Sequence, residues 1–291
     1  MKIDAHHHLW DLKAVNYPWL MARGEKRFFG DPAPIQRDYL LEEFRADAEA
    51  HGFNASVHIQ VGAEDGLAEA RWVHTVAQEN PDWPLAQVAF CDLTAEDRDA
   101  QLDALATLSS LRGVRQIVGR APQEDRQTGT NTLLDNPAFL EGLHRLADRN
   151  LSFDLQLIPE LMPATGALLA QVPQLPVVLC HAGSPHDRST EGLRRWETSL
   201  RHLSGLPNVF CKLSGLGMFE HDWTPQSIRP IVETCLEQFG AERCMFGSNF
   251  PVDSLSSSYT QIVEAYEALV PDDVHQAVFG ETARRFYRIE P

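Results

Sequence analysis

Apolar residues along the chain gather into short runs, each followed by a polar turn and then a longer stretch with helical spacing. The runs Lys2–Leu9 (KIDAHHHL), Asn54–Val61, Pro84–Cys91, Gly113–Val118, Leu151–Ile158, Leu175–His181, Asn208–Ser214 and Arg243–Ser248 predict eight strands. Helical spacing predicts eight helices near residues 39–50, 66–80, 95–110, 137–149, 160–172, 189–204, 225–239 and 255–270, with one more over His275–Ile289. Asp65, Thr94, Ser189 and Thr224 stand where a short oxygen acceptor would cap the first free amides of a helix.

Eight strands alternating with eight helices match a (β/α)8 TIM barrel in number, size and connection length. An open doubly wound sheet shares the alternation, but no GxGxxG or Walker sequence follows the first strand, so a phosphate cradle is absent. Polar residues recur at the ends of the runs, and a barrel is the architecture that gathers those ends at one mouth. No Pro/Ser/Gly-rich stretch or charge block divides the chain, so one domain over residues 1–291 is expected.

Composition narrows the partners. Asp and Glu number 41 against 25 Lys and Arg, a formal charge of -16 that repels nucleic acid and anionic membranes. The charge says little about the catalyst; loops that mix aromatic and polar residues are what suit a cyclic or polyhydroxylated small molecule as substrate. The five cysteines are odd in number and form no CxxC pair, which reads as buried reduced thiols. No signal peptide or long apolar span is visible, and a cytoplasmic location is the expectation.

Candidate chemistry sits at the strand ends. Period-two alternation puts Asp4, His6 and His8 on one side of the first strand, with Ala5 and His7 on the other. His6 and His8 then offer two neutral imidazoles to one cavity, a donor type that suits Zn²⁺. His58 in SVHIQ reads as either a satisfied interior histidine or a ligand contact, with Gln60 nearer the strand end. Arg115 in GVRQI could hold a carboxylate through its fork of N–H donors. Asp154 and Gln156 share a side of the fifth strand, and His181 ends an uninterrupted apolar run on the sixth. Lys212 interrupts the seventh run, either to meet an anionic group at the mouth or to pair with an acid such as Asp154. After the eighth run, Asn249 can orient but cannot act as a base, and Asp253 is either a base or a helix cap. The loops Tyr17–Gly30, His181–Ser189 and Gly217–Trp223 carry aromatic and polar groups fit to close over a mouth.

Taken together, IDAHHHLW, GVRQI, FDLQL, LCHAG, CKLSG and MFGSNFPVD resemble the lactonase-like branch of the amidohydrolase superfamily, over nearly the whole chain. That branch includes enzymes similar to L-fuconolactonase, L-rhamnonolactonase and 2-pyrone-4,6-dicarboxylate lactonase. The resemblance implies a (β/α)8 hydrolase that opens a small sugar-acid or dicarboxylate lactone. It carries the paired histidines over to His6 and His8, and the strand-six histidine to His181. These three would be the ligands of one divalent metal, zinc or manganese, which some members lack. The branch commonly reads GSD after strand eight, where the aspartate activates water. This chain reads GSN, which leaves Asp253, a loop histidine or no residue as base. Hydrolysis would use His6, His8, His181 and Asp253 for catalysis, with Arg115, Gln156, Lys212, Asn249 and His58 contacting substrate. A lactone isomerase or decarboxylase, and a non-catalytic sugar-acid-binding barrel, are the alternatives.

Overall fold

Each of the eight apolar runs becomes a strand. The computed structural model, which describes residues 1–128 and 130–290, places β1 at Ile3–His7, β2 at Ala55–Ile59, β3 at Leu85–Ala89 and β4 at Leu111–Val114. β5 follows at Ser152–Leu155, β6 at Val177–Leu179, β7 at Val209–Leu213 and β8 at Cys244–Phe246. They pair in parallel in chain order, with their C-terminal ends at one mouth. The ring closes just beyond β8, where Asn249 N donates to His6 O and His8 N to Phe250 O, both at 2.7 Å.

The helices are α1 (Pro18–Met21), α2 (Leu41–Ala50), α3 (Gly66–Glu79), α4 (Arg98–Ala106), α5 (Pro122–Thr128) and α6 (Pro137–Asp148). The chain continues with α7 (Met162–Leu169), α8 (Thr190–Ser204), α9 (Pro225–Phe239), α10 (Tyr259–Leu269) and α11 (Thr282–Tyr287). Asp65, Ser189 and Thr224 accept amide hydrogen bonds as N-caps of α3, α8 and α9, each contributing about 1 kcal/mol. Thr94 does not cap: its hydroxyl donates to Asp92 Oδ1 at 2.7 Å, and α4 starts later, after Asp97. Asp253 caps no helix either, since Ser258 holds that position for α10. The short helices α1 and α5 fall in segments with no periodic apolar signal.

Two apolar layers result. The larger lies between sheet and helices. The smaller fills the barrel, where Ile3, Ala5, Val57, Val88, Val178 and Met245 meet Ala283, Phe286 and Tyr287 from α11. The C-terminal helix thus plugs the end of the barrel opposite the mouth, which leaves the polar residues above this plug as the place for chemistry. All five cysteines are buried and unpaired. Among the described residues no helix is long and apolar enough to cross a membrane.

Candidate active site

The first strand does not alternate as its sequence suggests. Its register against β2 shifts between Asp4 and His7, and a bulge of this kind re-aims the side chains beyond it. Ile3 and Ala5 both join the barrel interior, whereas the expected inward Asp4 faces outward and accepts from Tyr259 OH at 3.0 Å. Its other oxygen accepts from the amides of His6 and Ser248, at 3.1 and 3.0 Å, tying β1 to the segment after β8. Burial raises the pKa of Asp4 to about 6 against these bonds. His7 faces the helix layer, stacked 3.8 Å from Phe44 and bonded to Ser56. His6 and His8 point inward.

Three imidazoles converge there. The rings of His6 and His181 lie 4.5 Å apart, and those of His6 and His8 5.2 Å apart. His8 donates from Nδ1 to the carbonyl of Ile59 at 2.7 Å, and its Nε2 lies 3.3 Å from Asn249 Oδ1, two acceptors face to face while the ring is neutral. His181 follows β6 on a left-handed stretch of backbone (φ 54°), a conformation a non-glycine residue adopts only under structural compulsion. Its Nδ1 is hydrogen-bonded to Ser214 Oγ at 3.1 Å, and when the ring is the donor Nε2 is left bare. The fit against β7 is tight: a Cβ on Gly215 would stand 2.2 Å from His181 Nδ1. Burial is the main force holding all three rings neutral, with pKa values well below 6.5, and the charges of Lys212 or Arg115 push the same way.

His8 and His181 line a cavity of about 100 Å³ together with Arg115, Gln156 and Asn249. Arg115 is buried, donates to Gln156 Oε1 at 3.1 Å and also to the carbonyl of Gln60, so its guanidinium is fixed before any ligand arrives. Arg27 and Arg120 also line the cavity, and both pair with Glu124. Trp19, Phe28 and Phe29 from the Tyr17–Gly30 loop and Met218 from the Gly217–Trp223 loop roof it. The two loops are pinned together, with Phe28 stacked on Phe219 at 6.0 Å and His221 donating to Phe29 O at 2.8 Å. Across Gly62, Ile117 and Arg120 lies a wider recess of about 450 Å³ that includes Gln60, Phe90 and Gln116.

Several sequence expectations change at this point. His58 does not line the cavity. β2 turns it outward, where Nδ1 accepts from Leu9 N at 3.0 Å and Nε2 stands 3.6 Å from Glu69, so it braces the strand end. Lys212 is fully buried beneath the cavity, at 2.6 Å from Asp154, and not at the mouth. Asp253 sits behind Asn249, whose Nδ2 donates to it at 2.7 Å, and it lines neither the cavity nor the recess. Burial raises the Asp253 pKa to about 7. Arg120 went unnoticed in the sequence because it lies past the strand, in a stretch with no apolar pattern.

Catalytic zinc sites use three protein ligands with free lone pairs. Here Lys212 Nζ faces His6 Nδ1 at 3.5 Å, no carboxylate among the described residues is hydrogen-bonded to the three rings, and Arg115 adds a second fixed cation. Among the described residues no group of three or more His, Cys, Asp or Glu is arranged to hold a metal. As arranged, His6, His8 and His181 form no ready-made metal site, which leaves a divalent ion optional.

Comparison with known proteins agrees with the architecture. The sequence pattern of the family described as Amidohydrolase matches residues 3–289. An uncharacterized protein of Sinorhizobium fredii is 35% identical, over 99% of this chain and 98% of its own length. L-fucono-1,5-lactonase of Burkholderia multivorans is 29% identical, over 99% of this chain and 96% of that protein. The crystal structure of an amidohydrolase from Burkholderia multivorans with bound zinc superimposes with a TM-score of 0.84 at 26% identity, covering 100% of both chains. The chain belongs to the amidohydrolase family of enzymes, as a (β/α)8 barrel related to the fuconolactonases.

Proposed function

We propose that the protein hydrolyses a small lactone that carries a carboxylate. The observation that carries this reading is a cavity joining the free Nε2 of His181 to three guanidiniums, those of Arg27, Arg115 and Arg120, in a chain whose overall charge is -16. Among the described residues the outer two arginines share Glu124, and three guanidiniums at one cavity suit an anion. That a relative 29% identical is an L-fucono-1,5-lactonase supports a lactone ring as the reacting group.

In this mechanism His181 Nε2 takes a proton from water as the water attacks the lactone carbonyl. Arg115, already fixed by Gln156 and Gln60, receives the negative charge that forms on the carbonyl oxygen. The proton then passes from His181 to the ring oxygen, which leaves as an alcohol and gives a hydroxy acid. His8 and Asn249 orient the ring. Asp253 acts through Asn249, because the amide stands between its carboxyl and the cavity.

A panel of neutral aldonolactones and carboxylated lactones, followed by acid release, tests this. Carboxylated lactones are expected to be opened with the higher kcat/KM, and Arg120→Met to cost them about 10–100-fold while leaving neutral lactones within a few-fold. Equal loss for both classes would remove the carboxylate assignment. Asn249 in place of a carboxylate keeps one second reading, isomerisation or decarboxylation in the same cavity. Product mass decides it, since only hydrolysis adds a water.

A further inference from the structure

Directly beneath the cavity a lysine is buried in the barrel. Lys212, on β7, has no exposed surface, and its ammonium lies 2.6 Å from Asp154 Oδ2 and 3.5 Å from His6 Nδ1. Tyr287, on α11, donates to the same carboxylate oxygen at 2.7 Å and sets its ring 5.2 Å from the ammonium. Polar groups contributed by β1, β5, β7 and the terminal helix thus meet at one point inside an apolar barrel.

The chemistry of the donors decides what this does to His6. An ammonium has N–H groups and no lone pair, so a ring nitrogen that faces it must supply the lone pair. A ring with a bare Nδ1 is neutral and carries its one proton on Nε2. Nε2 of His6 is buried and has no partner. The rings of His181 and His8 flank it at 4.5 and 5.2 Å, and both belong to the cavity wall. Leaving such a donor without an acceptor is costly, and the situation recurs at sites that await a ligand.

We propose that Lys212 is a positioning residue: anchored on Asp154, it fixes His6 as the Nε2–H tautomer, so that this ring, which stands behind the cavity wall of His8 and His181 and does not itself line it, holds an N–H for an oxygen of the substrate or attacking water that reaches between them, and not a lone pair for a metal ion. The role given to that N–H rests on the hydrolytic reading of the cavity; the tautomer itself does not. A metal ion competing for His6 would have to expel the Nε2 proton beside a fixed ammonium, or displace the ammonium from both Nδ1 and Asp154.

Nitrogen NMR of the full chain labelled at histidine reads the tautomer. The wild-type protein is expected to show His6 protonated on Nε2 and bare at Nδ1, unchanged by equimolar zinc. A proton on Nδ1, or loss of the Nε2 proton when zinc is added, would overturn the proposal. Because Lys212→Met alone strands Asp154, the informative variant is Lys212→Met/Asp154→Asn, in which Tyr287 can still donate to the amide oxygen. In that variant the Nε2–H preference is expected to be lost, zinc affinity to rise about tenfold or more, and kcat to fall about a hundredfold with KM nearly unchanged. Lys212→Arg should retain the wild-type tautomer. A folded double variant with the wild-type tautomer and zinc affinity would also overturn it. The spectra and the zinc titration need no turnover, so a protein that opens no lactone yet shows this tautomer would count against the hydrolytic reading and not against this one.

Discussion

At the scale of single residues, the site depends on which proton sits on which nitrogen or oxygen. Asp253, with its pKa raised by burial to about 7, changes state within the working range of most assays. Below that value its carboxyl can donate to the oxygen of Asn249, turning the amide nitrogen toward His8. Above it the carboxylate accepts from Nδ2, the arrangement in the structure. The pH profile of kcat/KM is therefore expected to show an ionisation near 7 that disappears in Asp253→Asn. An unchanged profile in that variant would separate Asp253 from the reaction. The sequence made His6, His8, His181 and Arg115 visible, since each interrupts or ends an apolar strand where a polar group needs a reason. It left the assignments of Asp253 and Lys212 open, because whether a side chain faces a cavity or another side chain is decided by neighbours far away in the chain.

At the scale of elements, the eight strands and their helices were legible because apolar periodicity records which face is buried. The bulge in β1 was not: one extra inward residue, Ala5 followed by His6, looks the same in sequence as ordinary alternation. Nor was the terminal helix as a plug, although its pattern was recognised, since nothing local shows that Tyr287 would reach Asp154 across the barrel. That contact has a measurable consequence. Tyr287→Phe removes the hydroxyl that donates to Asp154 Oδ2, a carboxylate whose Oδ1 already lacks a partner. It is expected to destabilise the fold by about 1–3 kcal/mol in denaturant unfolding. Stability equal to wild type would show that the terminal helix holds its place by apolar packing alone.

At the scale of the whole molecule, many buried ionisable groups link folding to pH. His6, His7, His8 and His181 are held neutral, mainly by burial, well below the ordinary 6.5. Unfolding lets each take a proton, so the stability they contribute is complete above about 6.5 and is lost as pH falls below it. Asp4 and Asp253 act in the opposite sense. Their folded pKa values are raised from 3.8 to about 6 and about 7, so their contribution is complete below 3.8 and is lost as pH rises through the raised values. The four rings outnumber the two carboxyls, so unfolding takes up protons on balance between pH 7 and pH 5 and stability should fall on acidification. Urea midpoints at pH 7 and pH 5 check the sign, and a protein more stable at the lower pH would contradict neutral burial of the imidazoles.

In the proposed reaction a lactone is hydrolysed by water activated at His181. The most direct test is the mass of the product formed from a carboxylated lactone in heavy-oxygen water, with wild-type protein and with His181→Ala. Wild type should place one heavy oxygen in the new carboxylate, and the variant should do so about 10²–10⁴-fold more slowly. A product without the heavy atom, or an equal rate in the variant, would contradict it.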